Sequence, residues 1–198
     1  MKKENLIQNN YLIFSLILIT FLSRLFMVFF LRDTHLENEW QTLLNNLINY
    51  KSYSFYTFKD QLIPSAYMPP AYPFFLYLIY LVTNFLNIGL LNTVIFIQIL
   101  LSTYSVYIFY QINLNFFFKK VSLFNSFIFS LIPLNIYYCG QISSINLQLM
   151  LSLLFLKFLI VFINRKRDVN LILFSITSGI LILTRGEFIL IFLLLSFY

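Results

Sequence analysis

The chain has 198 residues, of which 60% are hydrophobic and 10% charged, with a mean hydropathy of +0.83. Soluble domains carry roughly 45–50% apolar and about 25% charged residues, so this composition excludes a soluble protein and specifies an integral membrane one. The single Cys139 excludes a disulfide scaffold, 20% aromatic residues exclude intrinsic disorder, and the net charge of +6 rests on basic residues that flank apolar runs, which fits membrane topology and no nucleic-acid partner.

With 25 Phe, 14 Tyr and only two alanines, Ala66 and Ala71, the chain has the skew of an AT-rich genome. A single Phe or Asn therefore carries little weight. Trp40, Arg185 and the prolines Pro69, Pro70 and Pro73 stand against that skew and carry more.

In chain order, a spanning helix needs about 20 apolar residues. Tyr11–Leu31 supplies them after the polar, basic stretch MKKENLIQNN. The run contains Arg24 and lacks a small-residue cleavage site, so it reads as an uncleaved first span with a cytoplasmic N-terminus. Residues 32–70 are the one long polar segment, expected as an extracytoplasmic loop, and hold Asp33, Glu37, Glu39 and Asp60. Within it Leu36, Trp40, Leu43, Leu44, Leu47 and Ile48 recur at helical spacing. That pattern predicts an amphipathic helix on the membrane surface with Trp40 at headgroup level.

Thr34 and Glu37 have the spacing of a capping box. On one continuous helix Glu37 and Glu39 fall about 160° apart, so both could not be aimed at one atom. Pro69, Pro70 and Pro73 predict an extended, non-helical approach to the next apolar run. With Tyr67 and Tyr72, this rigid turn would wall a substrate site.

Residues 73–86 form a short apolar run of about 14 residues, or ~21 Å, marginal for a span. Longer runs follow at 90–112, 121–138, 147–163 and 169–183, and another begins at Phe188. Together they predict an all-α polytopic transmembrane bundle, a single membrane domain over 1–198 that is the N-terminal part of a longer protein. If 73–86 crossed, Lys119, Lys120 and residues 165–167 would fall outside, against the positive-inside rule. The expected arrangement therefore makes 73–86 re-entrant or interfacial, and it puts 138–146 and 184–187 on the same outer side as the acidic loop.

Ionisable groups within or beside a membrane mark candidate sites. In Thr184-Arg185-Gly186-Glu187, the Arg185 guanidinium suits a phosphate or diphosphate, with Glu187 orienting it or touching an acceptor. A solvated turn is the plain alternative. Lys157 is expected to snorkel toward the cytoplasmic end. Arg24 would pair with a carboxylate or a lipid phosphate, and His35 is either solvated or a metal ligand beside Asp33 and Glu37.

The order of these features carries a family resemblance. Leu36-Glu37-Asn38-Glu39-Trp40 lies in the loop, and Met68-Pro69-Pro70-Ala71-Tyr72-Pro73 follows it. Ile132-Pro133-Leu134-Asn135 closes one apolar run, and Leu183-Thr184-Arg185 ends another. The constellation resembles the N-terminal part of a GT-C superfamily glycosyltransferase of the dolichyl-phosphate-mannose-protein mannosyltransferase-like group. The resemblance implies transfer of a sugar from a polyprenyl-phosphate carrier to an acceptor at the outer face of the bacterial cytoplasmic membrane. It implies that Glu37 or Glu39 is a general base on the acceptor hydroxyl, and that Arg185 offsets charge on the departing lipid phosphate. A divalent metal stays open as cofactor. Two other readings are a small transporter or flippase-like protein, with Arg24 and Glu187 lining a path, and a non-catalytic membrane partner.

Overall fold

The computed structural model describes residues 2–36, 38–58, 61–64 and 68–196, with side chains from Tyr11 onward except those of residues 38, 57, 58, 195 and 196. The described residues form α1 (Lys2–Leu31), α2 (Asn38–Tyr50), β1 (Ser54–Phe58), β2 (Gln61–Pro64), α3 (Ala71–Leu86), α4 (Leu90–Asn113), α5 (Lys119–Ser130), α6 (Pro133–Tyr137), α7 (Ile145–Arg165), α8 (Asp168–Thr184) and α9 (Phe188–Ser196). The fold is all-α, and the chain is an integral membrane protein. Tyr11–Leu31, α4 and α7 are each long and apolar enough to cross a bilayer. Helices suit that solvent because each backbone polar group finds its partner within the segment.

Buried polar side chains set how the long helices lie together. α1 and α4 run antiparallel: Arg24 Nε donates to Ser102 Oγ at 2.9 Å, and Arg32 Nη1 to Asn92 Oδ1 at 3.1 Å. α5 returns beside α4, where Asn125 Nδ2 donates to Asn113 Oδ1 at 3.0 Å and Phe129 stacks on Phe109 with centroids 4.3 Å apart. α7 packs along α4, and α8 folds back against α7, with Phe155 and Phe174 4.9 Å apart. The bundle thus has two chemically distinct ends. One end, acidic by its carboxylates, carries Asp33, Glu39 and Glu187 interleaved with Arg32, Lys51 and Arg185; the other, basic end carries Lys119, Lys120, Arg165, Lys166 and Arg167 beside Asp168.

α3 does not traverse this bundle. Its start lies against the acidic-end turns of α7 and α8, where Pro70, Ala71 and Phe74 meet Leu147, Ile180 and Leu183. Its finish runs through Asn87, left-handed at φ 54, straight into α4, whose Asn92 holds Arg32. Both ends of α3 therefore belong to the acidic end, and the two basic clusters share the other.

Four local expectations are corrected. α2 forms where its periodicity predicts, yet its stripe is not spent on the membrane surface. Leu43, Leu44 and Leu47 are buried, and Leu36, Trp40 and Ile48 pack on the core with Tyr72 and Leu76. α3 offers that stripe a dry surface, and full burial gains about 25 cal/mol per Å², more than a half-wet headgroup layer returns. Thr34 is no cap: α2 begins at Asn38, and the Thr34 hydroxyl shares a hydrogen bond with His35 Nδ1 at 3.1 Å.

The proline segment starts a helix instead of preventing one. Pro70 is helical at φ −79, ψ −19, and Pro73 is buried within the first turn of α3. The first N–H groups of a helix have no intrahelical partner, so a missing donor there costs nothing. The run 121–138 is not one helix either. Pro133 forces a break after Ser130, leaving α5 and α6 joined by a two-residue turn.

The hairpin was not legible as strands. β1 and β2 pair antiparallel with Thr57 opposite Leu62 and Phe58 opposite Gln61. Asn46 Nδ2 docks the hairpin on α2 by donating to Ser54 O at 2.8 Å.

Candidate functional site

The acidic end is assembled from a strap between α1 and the turn after α6. Asp33 N donates to Gly140 O at 2.9 Å, and Ile142 N donates to Asp33 Oδ2 at 2.7 Å. A Cβ on Gly140 would lie 2.6 Å from Leu31 O, so only glycine lets the two segments approach this closely. Asp33 is thereby committed to holding backbone, and the other loop acid among the described residues is Glu39.

Glu39 stands in the first turn of α2, half-buried, where the helix dipole favours a carboxylate. Glu37 and Tyr67 lie outside the described residues. The neighbouring Trp40 packs edge-on against Tyr72 at 4.8 Å. Tyr72, expected to face substrate, is instead sealed in the core at 1% exposure, and its Oη accepts from Gln98 Nε2 at 3.0 Å. Gln98 also reaches Ser143 O and Asn146, and Asn146 Nδ2 donates to Tyr138 O at 2.6 Å. Tyr72 is a positioning element: it fixes α3 to α4 and α7 through buried amides that have no water to turn to.

Beside that seal lies an open groove of about 380 Å³ between α3 and the pair α7 and α8. Pro70, Phe74, Phe75 and Leu78 form one wall; Leu147, Ile180 and Leu183 form the other. Pro69 is exposed next to it. Arg185 caps α8, its N–H donating to Leu181 O at 2.9 Å, and its side chain is exposed. Only Thr184 separates it from Leu183 in the groove wall, so their Cα atoms lie within about 7 Å. Glu187 is exposed as well, and among the described residues Arg185 and Glu187 form no ion pair with each other. Among the described residues the Arg185 side chain makes no hydrogen bond or ion pair, and its backbone lies next to the apolar groove.

The structure thus puts Pro70 in the groove wall, with Pro69 and Arg185 close to it along the chain, and it removes Tyr72 from that surface. Among the described residues no three His, Cys, Asp or Glu side chains come together as a metal site.

Arg24 also departs from expectation, since it pairs with no carboxylate among the described residues and its full burial closes it off from lipid headgroups. It is fully buried, donating from Nη1 to Thr20 O, Ser23 Oγ and Ser130 O at 3.1–3.2 Å, while Nη2 finds no partner. Ser130 O is a carbonyl released by the break before Pro133, so Arg24 caps the end of α5, where a cation is favoured. Cys139 lies against Arg24 and Ser102. It is fully buried there.

Sequence reasoning missed the buried set Ser102, Gln98, Asn146 and Ser130. The available signal was a polar residue inside an apolar run, which is costly unless satisfied. No family model, curated protein or solved structure matches the chain.

Proposed function

We propose that this integral membrane protein transfers a sugar from a polyprenyl-phosphate carrier to an acceptor hydroxyl at the outer face of a bacterial cytoplasmic membrane. The observation that carries the reading is the apolar groove whose wall residue Leu183 lies two positions before the exposed Arg185, on the same end of the bundle as Glu39. An isoprenoid chain suits the apolar walls, and a guanidinium matches a phosphate in bidentate fashion.

In this reading a loop carboxylate, Glu39 or Glu37, takes the proton of the acceptor hydroxyl. The acceptor oxygen then bonds to the anomeric carbon as the bond from that carbon to the phosphate oxygen breaks. The electron pair leaves with the lipid phosphate, whose added charge Arg185 offsets. Pro69 and Pro70 hold the wall of the groove rigid during this exchange.

The experiment follows a radiolabelled sugar from its polyprenyl-phosphate donor to acceptor in membranes. Glu39→Gln and Glu37→Gln are compared with wild type at matched protein abundance. One of them is expected to lose about 100-fold or more, the usual contribution of a positioned base. Wild-type rates in both variants would remove the base, and a wild-type KM for the carrier in Arg185→Gln would remove the phosphate site.

A further inference from the structure

The basic end of the bundle carries a surface that the transfer reaction does not use. The turn from α4 to α5 presents Phe116, Phe117 and Phe118, which are 64%, 51% and 88% exposed, directly ahead of the exposed Lys119 and Lys120. The turn from α7 to α8, at the same end, presents Arg165, Lys166 and Arg167, all exposed, with Lys166 in the left-handed conformation at φ 45. Among the described residues none of these five cations forms an ion pair or a hydrogen bond through its side chain. The one acid described alongside them is Asp168, held in the first turn of α8, where the helix dipole already favours it.

We propose that this end is a binding surface for anionic phospholipid headgroups. The three phenylalanines sit at the boundary between headgroups and acyl chains, and the five cations surround the lipid phosphates. Positive charge alone would satisfy topology, which counts lysines and arginines near the ends of spans. It does not ask for three consecutive exposed aromatic rings on a tight turn. Rings and cations together are the combination that an anionic interface rewards, because the rings gain burial below the headgroups while each cation gains from the surface potential. Charge complementarity also selects the occupant: a zwitterionic surface offers the five cations no net attraction, and an apolar protein partner would leave them desolvated.

The test places a fluorophore in the turn. The full chain with Phe117→Trp is reconstituted in phosphatidylcholine bilayers containing a fixed small fraction of one brominated lipid, either phosphatidylglycerol or phosphatidylcholine. Subtracting the wild-type signal removes Trp40. Brominated phosphatidylglycerol is expected to quench the added fluorescence several-fold more effectively at low salt. The preference should fall toward equality in molar salt, where the Debye length shrinks to about 3 Å. It should also vanish in the variant carrying K119Q, K120Q, R165Q, K166Q and R167Q. If that variant does not insert, the salt titration of Phe117→Trp alone decides. Equal quenching by the two lipids at low salt overturns the proposal, as does a preference that persists without the five cations.

Discussion

Arg24 and Arg185 are the same residue in opposite circumstances, and the contrast divides the molecule. Arg24 lies fully buried in mid-bundle, with three of its bonds on Nη1 and a fourth from Nε to Ser102. Arg185 stands exposed at the end of α8 beside an apolar groove. Arg24 places Nε and Nη1 on acceptors of its own helix, of α4 and of α5, and leaves Nη2 unpaired, whereas among the described residues the Arg185 side chain makes no hydrogen bond. In a chain with 10% charge the burial of a side chain, and not its type, separates architecture from chemistry.

The sharpest way to break the comparison is Arg24→Met. It removes the cap from Ser130 O and the partner of Ser102, and each buried acceptor left unsatisfied costs about 1–3 kcal/mol. We expect loss of most folded protein, read as membrane abundance and as melting temperature in detergent. Arg185→Met should leave both unchanged. A stable Arg24→Met protein would dissolve the distinction.

Next in size is the reverse effect. Glu39→Gln or Arg185→Gln should depress sugar transfer without moving the melting temperature, whereas Ser102→Ala should shift the melting temperature and leave the KM for the carrier intact. A smaller effect is expected at the strap. Gly140→Ala forces α1 and the turn after α6 apart, since its Cβ would meet Leu31 O at 2.6 Å. Overpacking of this kind costs about 1–3 kcal/mol, visible as a lowered unfolding midpoint.

The smallest involves Tyr53, outside the spans, whose Oη donates to Met68 O at 2.6 Å and whose ring stacks on Phe74. Burial raises its phenol above the ordinary value of 10.0. A raised folded-state value means that the folded protein holds the proton more tightly than the unfolded chain does. The stabilisation is therefore complete below about pH 10 and is lost as pH climbs through the folded value. Tyr53→Phe should flatten the alkaline limb of a stability–pH curve while costing about 1 kcal/mol at neutral pH. An unchanged alkaline limb would contradict the burial of that hydroxyl.

Much of the architecture was legible in the residues. The apolar runs predicted α1, α4 and α7, and the Leu36, Trp40, Leu43, Leu44, Leu47, Ile48 pattern predicted α2. The same periodicity could not say what α2 faces, because a stripe suited to a membrane surface also suits a neighbouring helix. The prolines are ambiguous for a related reason: Pro73 forbids the interior of a helix but not its first turn, and only the location of the helix start distinguishes the two. Among the site residues, Pro70 lines the groove, whereas Tyr72 is turned inward by Gln98, a partner 26 residues away that no local pattern announces.

By itself, the sequence determined the solvent, the helical class and the sorting of charge into acidic and basic stretches, since these follow from local composition against a hydrocarbon of fixed thickness. Tertiary structure alone decided that Arg24 is an internal cap, that Tyr72 is turned into the core, and that Pro70 and Leu183 line one groove. Those properties depend on which distant side chains share a buried space, where each polar atom must find its partner inside the protein or cost free energy.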